Sequence, residues 1–547
     1  MPGKYFDELE VGKKLNNIPW LPIWKVISLL SILHLMLFDT LILTAPETLQ
    51  VQYTPDDGYY YLALARNFIR FGEWTFDGGV SLTSGFHLMQ AYFLVGIYNL
   101  FHPNPEDFVR LGLGLSTLIT VASVLLAWQM CLRKKETHLL ILFTIVVTAK
   151  TFLFNSVSIT EWSLVILIAG LYCAYFLDRP SNTANLLIPF ALGLLGSLAR
   201  SDFGLLPFCV FVATAVIVRY SDKTFLIRDT LAGLIGAALG VGLSTMHTFI
   251  TTGAFLQSSA LMKSYWSQFG TQRFYTAATL GLQILGMDFG FSTFLSSILL
   301  LSVLLLAGPV FLILLAHISG QKKIPVTLFR LDPHRSVRER ILVLASILCL
   351  LGYTALYTAS GAVQNWYTAN VTVPVFILFA AAAGYLNGRI FKEYQFTVIW
   401  LSTFALVSLG TQLLNLYPLG SEKAPWPHQQ FNLAAGRYLA QNPADGYIGS
   451  WNSGIAGYYQ GGTNIVNIDG LVNNDIYPYA VQNTLPAYLQ KNNIRYILDF
   501  ENMFHPPFPK RGGYANAAFL ESLKPIKEFD KGQFTEFKFL RLYRIDP

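Results

Sequence analysis

Long uninterrupted apolar runs dominate the first 414 residues of the chain. They cover 21–45, 106–131, 137–155, 160–177, 184–199, 203–218, 230–250, 291–317, 341–358, 369–388 and 397–414. A helix needs about 20 apolar residues to cross a bilayer, so these runs predict about eleven transmembrane helices. A further run, 86–101, has only 16 residues. Between residues 46 and 105 the pattern changes. Tyr60, Leu64, Phe68 and Phe71 recur at helical spacing and predict an amphipathic helix over 57–71 that lies in the membrane interface. From residue 415 no run can span. HQQFNLAAGRYLAQN reads as an amphipathic helix, and β-prone runs follow at 446–450, 464–468, 494–499, 534–539 and 541–545, with a helix-like segment at 480–491. Alternation of this kind predicts a small α/β domain. The expected fold is therefore a polytopic α-helical membrane module over 1–414, with an exterior α/β domain over 415–547.

Composition agrees. Of 547 residues 53% are hydrophobic and 13% charged, with a mean hydropathy of +0.44. Soluble proteins carry about 25% charged residues, so an ordinary soluble enzyme, a disordered chain and a disulfide scaffold are excluded. The four cysteines, Cys131, Cys173, Cys209 and Cys349, each sit in an apolar run and read as small buried hydrophobes. The first run is too long for a signal-peptide core and reads as an uncleaved anchor.

The few charges set the orientation. If 86–101 does not cross, one set of connecting segments holds most of the Lys and Arg, among them Lys13, Lys14, Arg133, Lys134, Lys135, Arg338, Arg340 and Arg389. The other set, before the tail, holds only Arg66, Arg70, Arg200, Lys263 and Arg273. The positive-inside rule then puts the N-terminus in the cytoplasm and the tail outside a plasma or bacterial inner membrane, with 86–101 lying along the outer interface.

The first outer loop carries the strongest chemical signal: PDDGYYYLALARNFIRFGEWTFDGGVSLTSGFH. Asp56 and Asp57 stand where the 57–71 helix begins, a position that stabilises negative charge. A lone Asp there reads first as a helix cap; a pair followed by three tyrosines suggests chemistry. This loop resembles that of the GT-C glycosyltransferases, multispan enzymes that use a polyprenyl-phosphate sugar as donor. The aminoarabinose, protein O-mannosyl and mycobacterial arabinofuranosyl transferases belong to that superfamily. The resemblance implies two helices along the membrane after the first span, and a catalytic base at the first acidic residue, here Asp56. Looser matches follow in SVSITEWSLVILI with Glu161, SLARSDFGLLPF with Arg200, FITTGAFLQSSALMKS with Lys263, NWYTANVTVPVF with Trp366 and Tyr367, and NIVNIDGLVN in the tail. Ser201 and Asp202 replace the Pro and Glu of the family's Arg-Pro-Glu-Gly segment.

Transfer from a lipid phosphate to a hydroxyl is a displacement at an anomeric carbon. Phosphate leaves without protonation, so the site needs one base and a cationic clamp. Asp56 is assigned as base, with Asp57 or Glu161 orienting the sugar or acceptor. His87, Lys263, Arg200 and Arg273 are candidates for the donor phosphate, and Tyr60, Trp366 and Tyr367 for substrate contacts. Arg200 at a span end also reads as a snorkelling side chain. Arg66 and Arg70 read as partners of lipid headgroups. No cofactor is expected, although Asp56, Asp57 and Glu161 leave an oxygen-rich site for a divalent metal open. The expected partners are a polyprenyl-phosphate-linked sugar, a glycan, lipid or protein acceptor and the bilayer, with no nucleic acid. A transporter or flippase of lipid-linked sugars is the alternative; it predicts repeated halves and broken midplane helices, and no such halves are found.

Overall fold

The computed structural model describes residues 20–178, 186–218, 225–269, 283–284, 336–360, 364–385, 396–506, 508–529 and 537–546. The predicted span 291–317 and Arg273 lie outside them. The membrane module contains α1 (Trp20–Thr44), α2 (Glu47–Tyr53), α3 (Asp56–Phe71), α4 (Leu88–Phe101), α5 (Pro105–Lys134), α6 (Thr137–Thr148), α7 (Lys150–Ser156), α8 (Trp162–Asp178), α9 (Leu187–Ala199), α10 (Leu205–Val218), α11 (Phe225–Thr252), α12 (Ser258–Trp266), α13 (Val337–Ser360), α14 (Thr368–Tyr385) and α15 (Phe396–Leu416). Among the described residues, seven helices are long and apolar enough to cross a membrane. The α6–α7 pair, bent by 61°, makes an eighth if counted as one span, while α4, α8 and α9 are shorter apolar helices. Large side chains such as Val26, Leu30, Leu118, Ile250 and Leu414 stay exposed on these helices. A chain with lipid as solvent can leave them so, because tails are as apolar as leucine.

Polar residues inside the bundle find one another. Trp24 Nε1 donates to Ser402 Oγ (3.0 Å), Trp128 Nε1 to Ser28 Oγ (2.9 Å) and Ser156 Oγ to Asp39 Oδ1 (2.5 Å). The cost of a lone polar group in hydrocarbon drives this pairing.

The tail continues with α16 (Gln429–Gln441), β1 (Tyr447–Ser450), α17 (Gly454–Gln460), β2 (Ile465–Asn467), α18 (Tyr477–Val481), α19 (Leu485–Lys491), β3 (Ile494–Phe500), α20 (Phe508–Gly512), α21 (Ala517–Glu521), β4 (Leu523–Glu528) and β5 (Leu540–Ile545). The sheet order is β2-β1-β3-β5-β4. β1 runs parallel to β2 and β3, and β5 is antiparallel to β3 and β4. The sequence pattern misplaces one strand. Residues 537–539 of the β-prone run 534–539 are not extended into the sheet, and LKPIKE at 523–528 takes the edge instead. That segment is almost wholly exposed, so it lacks the apolar alternation that marks a strand. Backbone pairing to β5 holds it, with an irregularity between Pro525 and Lys527, the kind of place where a sheet tolerates proline.

The first outer loop also departs from the interfacial picture. Every residue from Gly58 to Asn67 of α3 is buried. Tail helix α17 packs on α3, so protein rather than lipid covers it. Arg66 is buried as well: Nη1 donates to Tyr458 O (2.9 Å), and the guanidinium lies 4.8 Å from the Tyr458 ring centre. Arg70 donates to Gly461 O (3.2 Å). Both arginines therefore turn to the tail rather than to lipid headgroups, because the tail's carbonyls lie within their reach.

Phe38, fully buried on α1, meets Tyr53 and Phe154 at ring separations of 6.1 and 6.2 Å. Lipid is already apolar, so truncation there costs mainly the cavity left behind. Phe38→Ala should destabilise the protein by up to about 3 kcal/mol. Leu37→Ala, on the exposed face, should stay within about 0.5 kcal/mol. Thermal unfolding in detergent checks both; equal losses would contradict the assignment of faces.

Candidate functional site

Segments from α3, the start of α8, the α9–α10 junction, α12, α13 and the approach to α14 converge at one end of the bundle. Arg200 follows α9, where its backbone N–H caps the helix on Gly196 O (2.8 Å). Its buried guanidinium donates from Nη1 to Glu161 Oε1 (2.7 Å), from Nε to Asp202 Oδ1 (2.8 Å) and from Nη2 to Asp202 Oδ2 (3.2 Å). It also stacks over the Tyr367 ring, 3.9 Å from its centre. Glu161, just before α8, accepts from Tyr61 Oη at Oε2 (3.0 Å) and has His87 Nε2 at 3.7 Å from Oε1. Asp202 accepts from Tyr357 Oη (3.1 Å), which in turn accepts from Asn370 Nδ2 (3.0 Å). Lys263, on α12, donates from Nζ to Tyr367 Oη (3.1 Å). The two cations thus meet the same phenol, one at its face and one at its oxygen.

His87 is the residue before α4, and its backbone N–H donates to Tyr61 Oη (3.2 Å). Burial pushes its imidazole below the usual range, opposed by the charge of Glu161. It is neutral near pH 7 and offers a hydrogen bond rather than a charge. Lys263 behaves oppositely: although burial disfavours its charge, Tyr367 and Asp57 hold its ammonium above the ordinary range.

The two adjacent carboxylates of α3 part company. Asp56 accepts two backbone hydrogen bonds from the tail, Gly454 N to Oδ2 and Ile455 N to Oδ1, both 2.8 Å. Burial nevertheless lifts its pKa to about 6, because the amides offset only part of the lost hydration. Burial also raises Asp57; Lys263 opposes that rise and Glu161 adds to it. Among the described residues no hydrogen-bond donor reaches the Asp57 carboxylate.

The tail closes one wall of this region. Tyr60 Oη donates to Asp469 Oδ2 (3.1 Å) and accepts from Asn467 Nδ2 (3.2 Å). Asp469 also accepts from Leu471 N (2.7 Å). Ser84 N donates to Asn474 Oδ1 (2.9 Å), and Ser258 Oγ donates to Leu471 O (2.9 Å). The approach is tightest at Gly85, where a Cβ would stand 1.6 Å from Leu471 O. The glycine of TSGFH is therefore required by the tail's IDGLVN loop pressing against it.

The structure thus gathers Asp57, Glu161, His87, Lys263, Arg200 and Tyr367. Asp56 and Tyr60 face the tail, and Trp366 is buried beside Tyr367. Sequence reasoning missed Tyr61, Tyr357 and Asp202 as members. Tyr357 sits inside an apolar run with no signal, whereas Asp202 was visible as a departure from the family's segment. Asp469 stands in the tail motif NIVNIDGLVN with no chemical signal of its own. A separate cavity of about 1050 Å³ opens at the other end of the bundle, near Arg133, Lys134 and Glu339. It lies far from these groups, across the roughly 45 Å length of α5.

Residues 423–541 match a sequence family described as a domain of unknown function (DUF8728). No curated protein sequence matches the chain. Among solved structures, ArnT from Cupriavidus metallidurans, bound to undecaprenyl phosphate, is similar with a TM-score of 0.51 at 13% identity; the match covers 94% of this chain and 97% of that one. The oligosaccharyltransferase AglB from Archaeoglobus fulgidus, in complex with an inhibitory peptide and a dolichol-phosphate, is similar with a TM-score of 0.48 at 12% identity, covering 88% of this chain and 70% of that one. The likeness to ArnT shows that the two chains share a fold.

Removing Arg200 would strand Glu161 and Asp202 without their cation. Arg200→Ala should cost about 3–5 kcal/mol, and Arg200→Lys should recover only part because it cannot bridge both carboxylates through a planar fork. Adding Glu161→Gln and Asp202→Asn to Arg200→Ala should restore stability in thermal unfolding. No restoration would show that the pairing is not what the fold needs.

Proposed function

We propose that the chain is a membrane glycosyltransferase that moves a single sugar from a polyprenyl-phosphate donor to a hydroxyl acceptor at the outer membrane face. The reaction is an inverting single displacement, with a carboxylate of the Asp56–Asp57 pair as base. The observation that carries this reading is the Lys263–Tyr367–Arg200 stack beside Asp57 and His87. A base and a cationic clamp stand together where α3, α4 and the span ends meet. Shared fold with ArnT, solved with undecaprenyl phosphate, supports a lipid-phosphate donor.

The roles follow from what each group already holds. Arg200 spends three donors on Glu161 and Asp202, so it positions the rim and adds a fixed positive field. Lys263 is held by one phenol and keeps donors for a phosphate. Neutral His87 adds a hydrogen bond to the same oxygens. Positive groups preorganised in a dry site stabilise the departing phosphate without reorganisation. The reaction needs no divalent metal in this scheme, because Asp56 is taken by two amides and Glu161 by Arg200 and Tyr61, which disperses the oxygen set a cation would need. Paired charges at the other ends of the spans, Lys134 with Glu339 (2.6 Å) and Arg133 with Asp178 (3.2 Å), support a cytoplasmic face there and an exterior tail in a plasma or inner membrane.

Undecaprenyl phosphate is the probe for the clamp. A hydrogen bond to a charged group contributes about 1.5–3 kcal/mol, so Lys263→Ala should weaken binding roughly 10- to 100-fold. His87→Ala should weaken it less, and transfer should persist in EDTA. Unchanged affinity in both variants would remove the clamp. Passage of a lipid-linked sugar across proteoliposomes without glycosyl transfer would favour a flippase.

A further inference from the structure

Successive residues of an α-helix point about 100° apart, so two consecutive carboxylates cannot serve the same point in space. In the first turn of α3 the two directions have different occupants. Asp56 faces the tail, where Gly454 N and Ile455 N each donate to one of its oxygens at 2.8 Å. The fit is close enough that a Cβ on residue 454 would lie 2.8 Å from Asp56 Oδ2 and 2.3 Å from its backbone oxygen. Asp57 points the other way. Both carboxylates are half-buried and repel each other, but Asp57 lies under the charges of Lys263 and Glu161, and no protein donor reaches it among the described residues.

We propose that Asp57 is the catalytic base and that Asp56 is a positioning residue that anchors the tail. The division rests on the glycosyl-transfer reading above and reverses the order that the family resemblance implies. In the step, the acceptor hydroxyl gives its proton to an Asp57 oxygen while its own oxygen bonds to the anomeric carbon. The bond from that carbon to the phosphate oxygen breaks, and its electron pair leaves with the polyprenyl phosphate. The charge of Lys263 favours the ionised form of Asp57 against the cost of burial before the reaction and would balance the phosphate charge afterwards. Asp57 then returns the proton to water. Asp56 already has each oxygen turned to a tail amide, so its orientation is committed to the tail, whereas no protein donor among the described residues fixes the Asp57 carboxylate.

The test uses the full chain in nanodiscs, with radiolabelled undecaprenyl-phosphate monosaccharides as donors and a membrane extract as acceptor source. Hydrogen–deuterium exchange at Gly454 and Ile455 is read in parallel. Asp57→Asn should lower transfer about 10²- to 10⁴-fold, with undecaprenyl phosphate affinity within a few-fold of wild type and exchange at both amides unchanged. Asp56→Asn should accelerate that exchange and keep more transfer than Asp57→Asn. Gly454→Ala, whose methyl group would crowd Asp56 out of the anchor while leaving both carboxyl groups chemically intact, should behave like Asp56→Asn. Greater residual transfer in Asp57→Asn than in Asp56→Asn would overturn the base assignment, and unaltered exchange in both Asp56→Asn and Gly454→Ala would overturn the anchor. Failure of the wild-type protein to transfer any of these sugars would sink the enzymatic reading and the base with it, while the exchange measurements would still decide the anchor.

Discussion

A guanidinium buried at the rim of a lipid-facing bundle must be surrounded by acceptors, because an unpaired charge there would cost several kcal/mol. Arg200 meets that demand with Glu161, Asp202 and the face of Tyr367. Each partner comes from a different place: the start of α8, the α9–α10 junction and the approach to α14. Satisfying one side chain therefore fixes the relative positions of several span ends. Tyr61, Tyr357 and Asn370 then satisfy the remaining lone pairs. Lys263 reaches the cluster through the same Tyr367 ring that Arg200 covers.

The tail is a structural part of this rim. Its IDGLVN loop presses on Gly85, bonds Ser258 and receives Tyr60 at Asp469, and the adjoining Asn474 bonds Ser84. Tail helices α16 and α17 clasp the membrane module elsewhere: Arg437 pairs with Glu47 and Glu106, and Tyr458 Oη donates to Pro105 O (2.7 Å). The Tyr60–Asp469 bond is buried and costly to leave half-made, whereas the Arg437 pairs lie partly exposed at the margin.

Function in this reading comes from a division between groups that are satisfied and groups that are not. Glu161, Arg200, Asp202 and Asp56 spend their hydrogen bonds on protein. Asp57, Lys263 and His87 keep capacity in reserve beside them. Satisfied groups hold geometry, and reserved ones meet a substrate.

The sequence by itself determined the membrane class, the helices for its long apolar runs within the described residues and the loop that carries the acidic pair. These follow from local rules: about 20 apolar residues span a bilayer, and hydropathy is read one segment at a time. Charges are also few in the apolar module, which is why Glu161, Arg200, Lys263 and His87 could be singled out before their partners were known. Only the tertiary structure decided what each charge does. That α3 is roofed by protein, that Arg66 and Arg70 bond tail carbonyls, and that Asp56 meets Gly454 while the charge of Lys263 acts on Asp57 all join residues hundreds of positions apart. Tyr357 joins the site from an unbroken apolar run, and the strand 523–528 joins the sheet by backbone pairing alone. Hydropathy and spacing describe one segment's preference for lipid or water, and they hold no information about which distant donor will satisfy a given carboxylate.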